Sequence, residues 1–264
     1  MKEYRDIAVE AALAAGKIIR ENLGRKLKVG YKGKFNLITE VDHLAEETIV
    51  GIIHGQCPRH QIIAEEGHGK GKIAGIRWYV DPLDGTTNYA HGFPFFCVSI
   101  GLQVRGQVVL GVVYDPLQEE IFLAERGRGA FLNNRPLSVS RAGKLMDSLV
   151  VTGFNWQSLR ENLRHFVNFS HRAQAVRRTG SAALDLCYVA MGRFEGYWEL
   201  NLSPWDMAAG SLMVTEAGGR VTNFRGGRFS IHSREILATN GLVHNEMVAV
   251  LKLAKGRKNG LAGG

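Results

Sequence analysis

Apolar positions recur every three to four residues along the first two dozen. Ile7, Ala11, Ala14, Ala15, Ile18 and Ile19 share one face, which predicts a helix ended by Gly24. Acids among the first ten residues and the lack of a cleavage pattern read as a mature helix, not a signal peptide. A second helix is predicted after Thr39, with the stripe Val41, Leu44, Ala45, Thr48, Ile49, Ile52 and Ile53 at 3.6-residue spacing. QIIAEEG then reads as a short strand with acids at its end, and RWYVDPLDG as another. Over residues 95–139 the runs FFCVSIGLQV, QVVLGVVY, EEIFLAE, GAFL and PLSVS are strand-like. Arg105-Gly106 and Asn133-Asn134 supply turns between them, so an antiparallel meander is predicted.

Beyond residue 145 the pattern mixes. Strands near 149–152, 175–178 and 194–199 alternate with helices near 157–170, 181–192, 204–217 and 242–255. Runs of strands plus helices predict an α/β (α+β) fold in layers. A division into residues 1–145 and 146–264 is expected, with the two halves tightly joined and no linker between them.

Composition narrows the class. The chain has 264 residues, 45% hydrophobic and 22% charged, which is ordinary globular usage. Its longest apolar runs fall far short of the roughly 20 residues that span a bilayer, so no membrane partner is expected. Cys57, Cys97 and Cys187 are odd in number and dispersed, which argues against a disulfide framework or structural zinc and fits a reducing cytoplasm. Cys97 and Cys187 sit in apolar runs and read as buried small hydrophobes. The net charge of +8 suits an anionic substrate and equally suits nucleic acid. Arg160, Arg164, Arg172, Arg177 and Arg178 cluster with only Glu161 opposing them, and residues 252–264 carry four basic residues and no acid. These read as a solvated helix face and a frayed tail, since no aromatic platform or nucleic-acid motif accompanies them.

The chemistry concentrates in acids beside strand ends. Asp81 and Asp84 stand three apart in Asp81-Pro82-Leu83-Asp84-Gly85-Thr86-Thr87-Asn88, after the apolar RWYV. Two carboxylates and irregular backbone carbonyls are what Mg²⁺ seeks, and the Gly85-Thr86-Thr87 backbone can offer N–H groups to phosphate. Alone, the segment is equally an ordinary polar turn. Glu65-Glu66-Gly67 ends a predicted strand, and Asp206 opens a predicted helix. Asp206 has its own structural explanation, as N3 after Ser203 and Pro204, and Thr39 with Asp42 repeats that pattern.

NLITEVD, AEEG, DPLDGTTNYAHGFP and SPWDMAAGSLMVTEAGG resemble successive motifs of the inositol monophosphatase family, in the family's order. The resemblance runs from the first helix to the ATN near Asn240. It implies a layered αβαβα sandwich of the sugar-phosphatase type, with mixed and antiparallel sheets. It also implies two to three Mg²⁺ ions on Glu65, Asp81, the Leu83 carbonyl, Asp84 and Asp206, with Asp81 bridging two of them. Gly85 and Thr86 match the phosphate-contacting turn, and Asp84 and Asp206 are expected to contact the substrate as well as the metal. Thr86 and Glu65 match the pair that positions the attacking water, and Asp42 matches the acid paired with that threonine. Gly180, Ser181 and Ala182 match a substrate-facing helix start, and Glu199 an acid that contacts substrate hydroxyls. His91 reads as a structural or rim residue. Asn36 stands where some members carry Asp, which removes one charge.

The implied reaction is Mg²⁺-dependent hydrolysis of a phosphate monoester, with myo-inositol 1-phosphate the expected substrate. Lithium inhibition and a homodimer are expected too. Relatives acting on fructose 1,6-bisphosphate, adenosine bisphosphates or histidinol phosphate share similar motifs; Thr87-Asn88 and Glu199 favour the inositol-like branch. A different class is a regulatory protein that binds RNA or the transcription machinery through its basic surface.

Overall fold

Helix α1 (Lys2–Asn22) buries Ile7, Ala11, Ala15 and Ile19, as its periodicity requires, together with Ala8, Ala12 and Gly16. The small residues let it lie close to the sheet below: a Cβ on Gly16 would collide with the Tyr114 ring. The computed structural model describes residues 1–25, 29–31, 37–67, 69–70 and 73–253. Asn36 and the basic tail over 254–264 lie outside the described residues, as does the end of the last predicted helix.

Strands β1 (Val29–Tyr31) and β2 (Leu37–Thr39) pair antiparallel and deliver Thr39 to the N-cap of α2 (Glu40–Gln56). The buried face of α2 differs from the predicted stripe. Leu44 is 48% exposed, whereas Asp42 and Glu46 are buried with Val41, Ala45, Ile49, Val50 and Ile53. The two acids hold inward positions because each has internal donors to satisfy. Glu46 Oε2 accepts the Glu66 N–H at 2.6 Å, and Asp42 accepts from Thr39 and Thr86.

Seven strands then form one sheet in sequence order: β3 (His60–Ala64), β4 (Ile73–Asp84), β5 (Cys97–Val104), β6 (Gln107–Asp115), β7 (Glu120–Glu125), β8 (Gly129–Leu132) and β9 (Arg135–Pro136). From β4 onward every neighbour is antiparallel, as the meander predicts, while β3 runs parallel to β4. The PLSVS run is a strand only at Pro136. The predicted Asp-Pro-x-Asp-Gly turn is also displaced. β4 continues through Asp84, its pairing with β5 is irregular between Asp81 and Asp84, and the chain bends at Gly85 (φ 99°) into the short helix α3 (Thr86–Ala90). A Cβ at Gly85 would also stand 2.9 Å from the Phe95 carbonyl.

The second sheet holds β10 (Leu149–Thr152), β11 (Ala175–Arg177), β12 (Gly196–Leu200), β13 (Arg220–Thr222) and β14 (Glu235–Thr239), in the order β11-β10-β12-β14-β13. β10 is parallel to β11 and β12, and β14 is antiparallel to β12 and β13. Helices α4 (Leu159–Ser170), α5 (Ala182–Ala190), α6 (Pro204–Glu216) and α7 (His244–Leu253) complete the described elements.

These elements stack in five layers. α1 and α2 cover one face of the first sheet, α5 and α6 lie between the sheets, and α4 and α7 cover the second sheet's outer face. This is the αβαβα sandwich with mixed and antiparallel sheets. α6 is buried continuously from Met207 to Val214, as a helix enclosed on all sides should be. It approaches the first sheet where that sheet has no side chains. A Cβ on Gly101 would stand 2.6 Å from Ala208 Cβ, and one on Gly111 2.8 Å from the Ala209 carbonyl.

Candidate active site

The fold carries four acids from three distant segments to one cavity of about 680 Å³. Glu65 follows β3, and its N–H is tied to the Val80 carbonyl at 3.1 Å. Asp81 is buried within β4, and its Oδ1 accepts the Leu83 N–H at 3.1 Å. Asp84 ends β4, where its Oδ2 accepts the Ser181 hydroxyl and the Ala183 N–H, both at 2.7 Å. Asp206 is N3 of α6 in a capping box, its Oδ2 accepting the Ser203 N–H at 2.7 Å. The capping role and the position on the cavity wall coexist.

Of the residues singled out from sequence, Glu65, Asp81, Leu83, Asp84, Gly85, Thr86, Gly180, Ser181, Ala182, Glu199 and Asp206 all line this cavity. Asp42 lies behind the wall. Its Oδ1 accepts the Thr86 hydroxyl at 2.9 Å, and its Oδ2 accepts the Thr39 N–H at 2.8 Å. The Thr86 hydroxyl also points to the Leu83 carbonyl at 3.0 Å. His91 ends α3 and is exposed, and it does not line the cavity.

The electrostatics are those of an anionic cluster whose only cationic neighbour among the described lining residues is Arg178, exposed on the rim. Burial, then the charges of Glu65, Asp84 and Asp206, push Asp81 well above the usual carboxylate range. Asp206 rises for the same reasons, burial first and then Glu65 and Asp84. Burial lifts Asp84 to about 6, against the hydrogen bonds from Ser181 and Ala183 that hold it down.

A hard divalent cation fits this donor set. The cavity offers carboxylate and carbonyl oxygens, no cysteine or histidine lines it, and a cation answers the same repulsion a proton does. Among the described residues no three acids already converge as a formed ligand cluster. They surround the cavity and repel across it.

Sequence reading named Glu199 but missed several of the residues around it. Glu199 is buried, with Tyr197 donating its hydroxyl to Oε2 at 2.6 Å. Burial raises Glu199 to about 7, although the Tyr197 hydrogen bond, Arg178 and the Gly153 N–H all oppose the shift. Gly153 must be glycine in this arrangement, since a Cβ would collide with the Glu199 carboxylate. Asp185 is buried on the cavity wall and accepts the Thr179 hydroxyl at 2.5 Å. Its place one turn after Ser181 in α5 was the available signal. Arg178, read as part of a solvated basic face, is exposed but stands on the cavity rim. Asn88 ties α3 to the segment before α5 by donating to the Phe95 and Thr179 carbonyls at 2.7 and 2.8 Å.

Known proteins resemble this chain along its length. The model of the inositol monophosphatase family matches residues 1–255. An inositol-1-monophosphatase from Synechocystis sp. is 44% identical over 256 residues, covering 95% of this chain and 89% of its own. A protein named Nus factor SuhB from Pseudomonas aeruginosa is 42% identical over 250 residues, covering 91% and 92%. The crystal structure of extragenic suppressor protein suhB from Bartonella henselae matches with a TM-score of 0.91 at 41% identity, over 96% of this chain and 98% of that one.

Proposed function

The chain belongs to the inositol monophosphatase family, and on that premise we propose that it hydrolyses the phosphate monoester of a small polyol, myo-inositol 1-phosphate first among them. Glu65, Asp81, the Leu83 carbonyl, Asp84 and Asp206 would hold two to three Mg²⁺ ions, which supply charge neutralisation for the phosphate and the departing oxygen. The observation that carries this reading is the set of four mutually repelling carboxylates lining one cavity beside the left-handed Gly85.

The protein's own groups do the positioning. Thr86 commits its hydroxyl proton to Asp42 and the Leu83 carbonyl, which leaves its oxygen as an acceptor for a water proton. Glu65, on the same wall, accepts the other proton and aims the water at phosphorus. Gly85 turns the backbone so that the first N–H groups of α3 can meet phosphate oxygens. Glu199, held by Tyr197 and Gly153, faces hydroxyls on the alcohol.

Two outcomes test this. Phosphate release from myo-inositol 1-phosphate should require Mg²⁺ and stop in chelator; full activity in chelator would remove the cation from the reading. Glu199→Gln should lower kcat/KM for inositol 1-phosphate about 10- to 100-fold, the scale of a hydrogen bond to a charged group. The loss for p-nitrophenyl phosphate, which has no hydroxyls to offer, should be much smaller. Equal losses would assign Glu199 to the cations or the fold. Lithium inhibition and a two-fold homodimer belong to the same reading. A second reading rests on the Nus factor name of a similar relative: a role with the transcription machinery, which retained catalysis would not exclude.

A further inference from the structure

A second cavity, of about 500 Å³, opens between the first sheet, α6 and the loop before β14. It shares no lining residue with the catalytic cavity. Arg77 lies on β4 four residues before Asp81, about 13 Å along the strand. Arg126 follows β7, and Arg228 lies in the loop. Gln103, Gln107, Ser211, Thr215, Ser230 and His232 supply further polar groups, and among the described residues no carboxylate lines the cavity.

Arg5, Arg20, Arg128 and Arg193 each meet a carboxylate within 4 Å. Arg77, Arg126 and Arg228 form no ion pair with any described residue. The acids nearest in sequence are engaged elsewhere: Glu125 faces Arg5 and Arg128, and Glu216 accepts the N–H groups of Gly127 and Gly129. Two of the three guanidiniums are held in place through Nε. Arg77 donates to Gln61 Oε1 at 3.0 Å, and Arg126 to the Val108 carbonyl at 2.7 Å. Anchoring at Nε leaves Arg126 its Nη donors, and Arg228 has no described hydrogen-bond partner.

The geometry points to a second anion site, one that takes a small, multiply charged phosphate compound. Three cations line a concave cavity with no carboxylate among its described lining residues, so an anion entering it meets positive charge alone. Guanidinium forks fixed at their base match the paired oxygens of a phosphate. A concave volume of about 500 Å³ fits a compound of two or three phosphate groups better than a polymer lying across a surface.

The test is calorimetric titration of the full chain with inorganic tripolyphosphate in chelator, where the acids of the catalytic cavity repel an anion. One anion per chain should bind saturably. Arg126→Glu with Arg228→Glu should weaken binding about tenfold or more, the scale of charge-assisted hydrogen bonds. Arg228→Glu alone, at an exposed residue with no described partner, should weaken it measurably without affecting the fold. Arg178→Glu, on the other cavity's rim, should leave it within about twofold. Absence of saturable binding up to about 1 mM anion, the weak end of specific affinity, would overturn the assignment. So would losses in Arg178→Glu equal to those in the double variant. A single-stranded oligonucleotide that binds through the same arginines, while tripolyphosphate does not saturate, would overturn the small-anion class.

Discussion

Asp81→Asn should reduce phosphate release by on the order of a thousandfold or more, because several kcal/mol of transition-state stabilisation depend on cations it would hold. The fold should survive, and in chelator the variant should melt no lower than the native chain. The sign follows from the carboxylate's environment. Burial and three neighbouring acids raise the folded-state pKa of Asp81 above its unfolded value of 3.8. Such a group contributes most below the unfolded value, and that contribution fades as pH rises through the folded value. At pH 8 the native chain without cation carries that repulsion, while asparagine has nothing to ionise. Mg²⁺ should reverse the order. A ligand at 100 times its Kd stabilises by about 2.7 kcal/mol, and the native chain should gain more than the variant. Melting curves with and without Mg²⁺, beside a phosphate assay, read both effects. Retained turnover in the variant would sink the cation mechanism.

Thr86→Val is expected to have the next largest effect. Valine keeps the shape and the β-branch but removes the hydroxyl that joins Asp42, the Leu83 carbonyl and the cavity. Asp42 Oδ1 loses a donor in a buried setting, at about 1–3 kcal/mol of stability. Turnover should fall about 10²- to 10³-fold, the range for a positioned proton-transfer contact. KM should change little, since the backbone N–H groups of α3 remain. Thr86→Ser restores the hydroxyl and should recover most of kcat. A serine variant as poor as the valine variant would show that the methyl group packs and the hydroxyl has no catalytic part.

Much of this was readable along the chain because it is local. The spacing of Ile7, Ala11, Ala15 and Ile19 is a property of one helix, and the turns at Arg105-Gly106 and Asn133-Asn134 belong to single hairpins. Both of the latter pairs carry positive φ, as such turns demand. Thr39 and Ser203-Pro204-Asp206 announce helix starts through bonds within three residues. Strands β1, β2 and β13 have three residues each and show no alternation to read.

Other features were decided only by packing. Periodicity put Leu44 on the inner stripe of α2, but the donors of Thr39, Thr86 and Glu66 draw Asp42 and Glu46 inward instead. Nothing near Gly153 in the chain marks it as the glycine against Glu199; β10 and β12 must first pair for the two to meet. Arg178 and Asp185 join the cavity because the segment after β11 and the start of α5 lie beside Asp84 at the end of β4. The roles of the acids were carried by the resemblance of motifs, since each acid alone also suits a turn or a cap. The sequence by itself determined the helices, the meander and the caps, all set by bonds and spacings within a few residues. Only the tertiary structure decided that Glu65, Asp81, Asp84 and Asp206 share one cavity. That convergence depends on β3 pairing parallel to the neighbouring β4 and on α6 seating against Gly101 and Gly111, which stand about 100 residues before it in the chain.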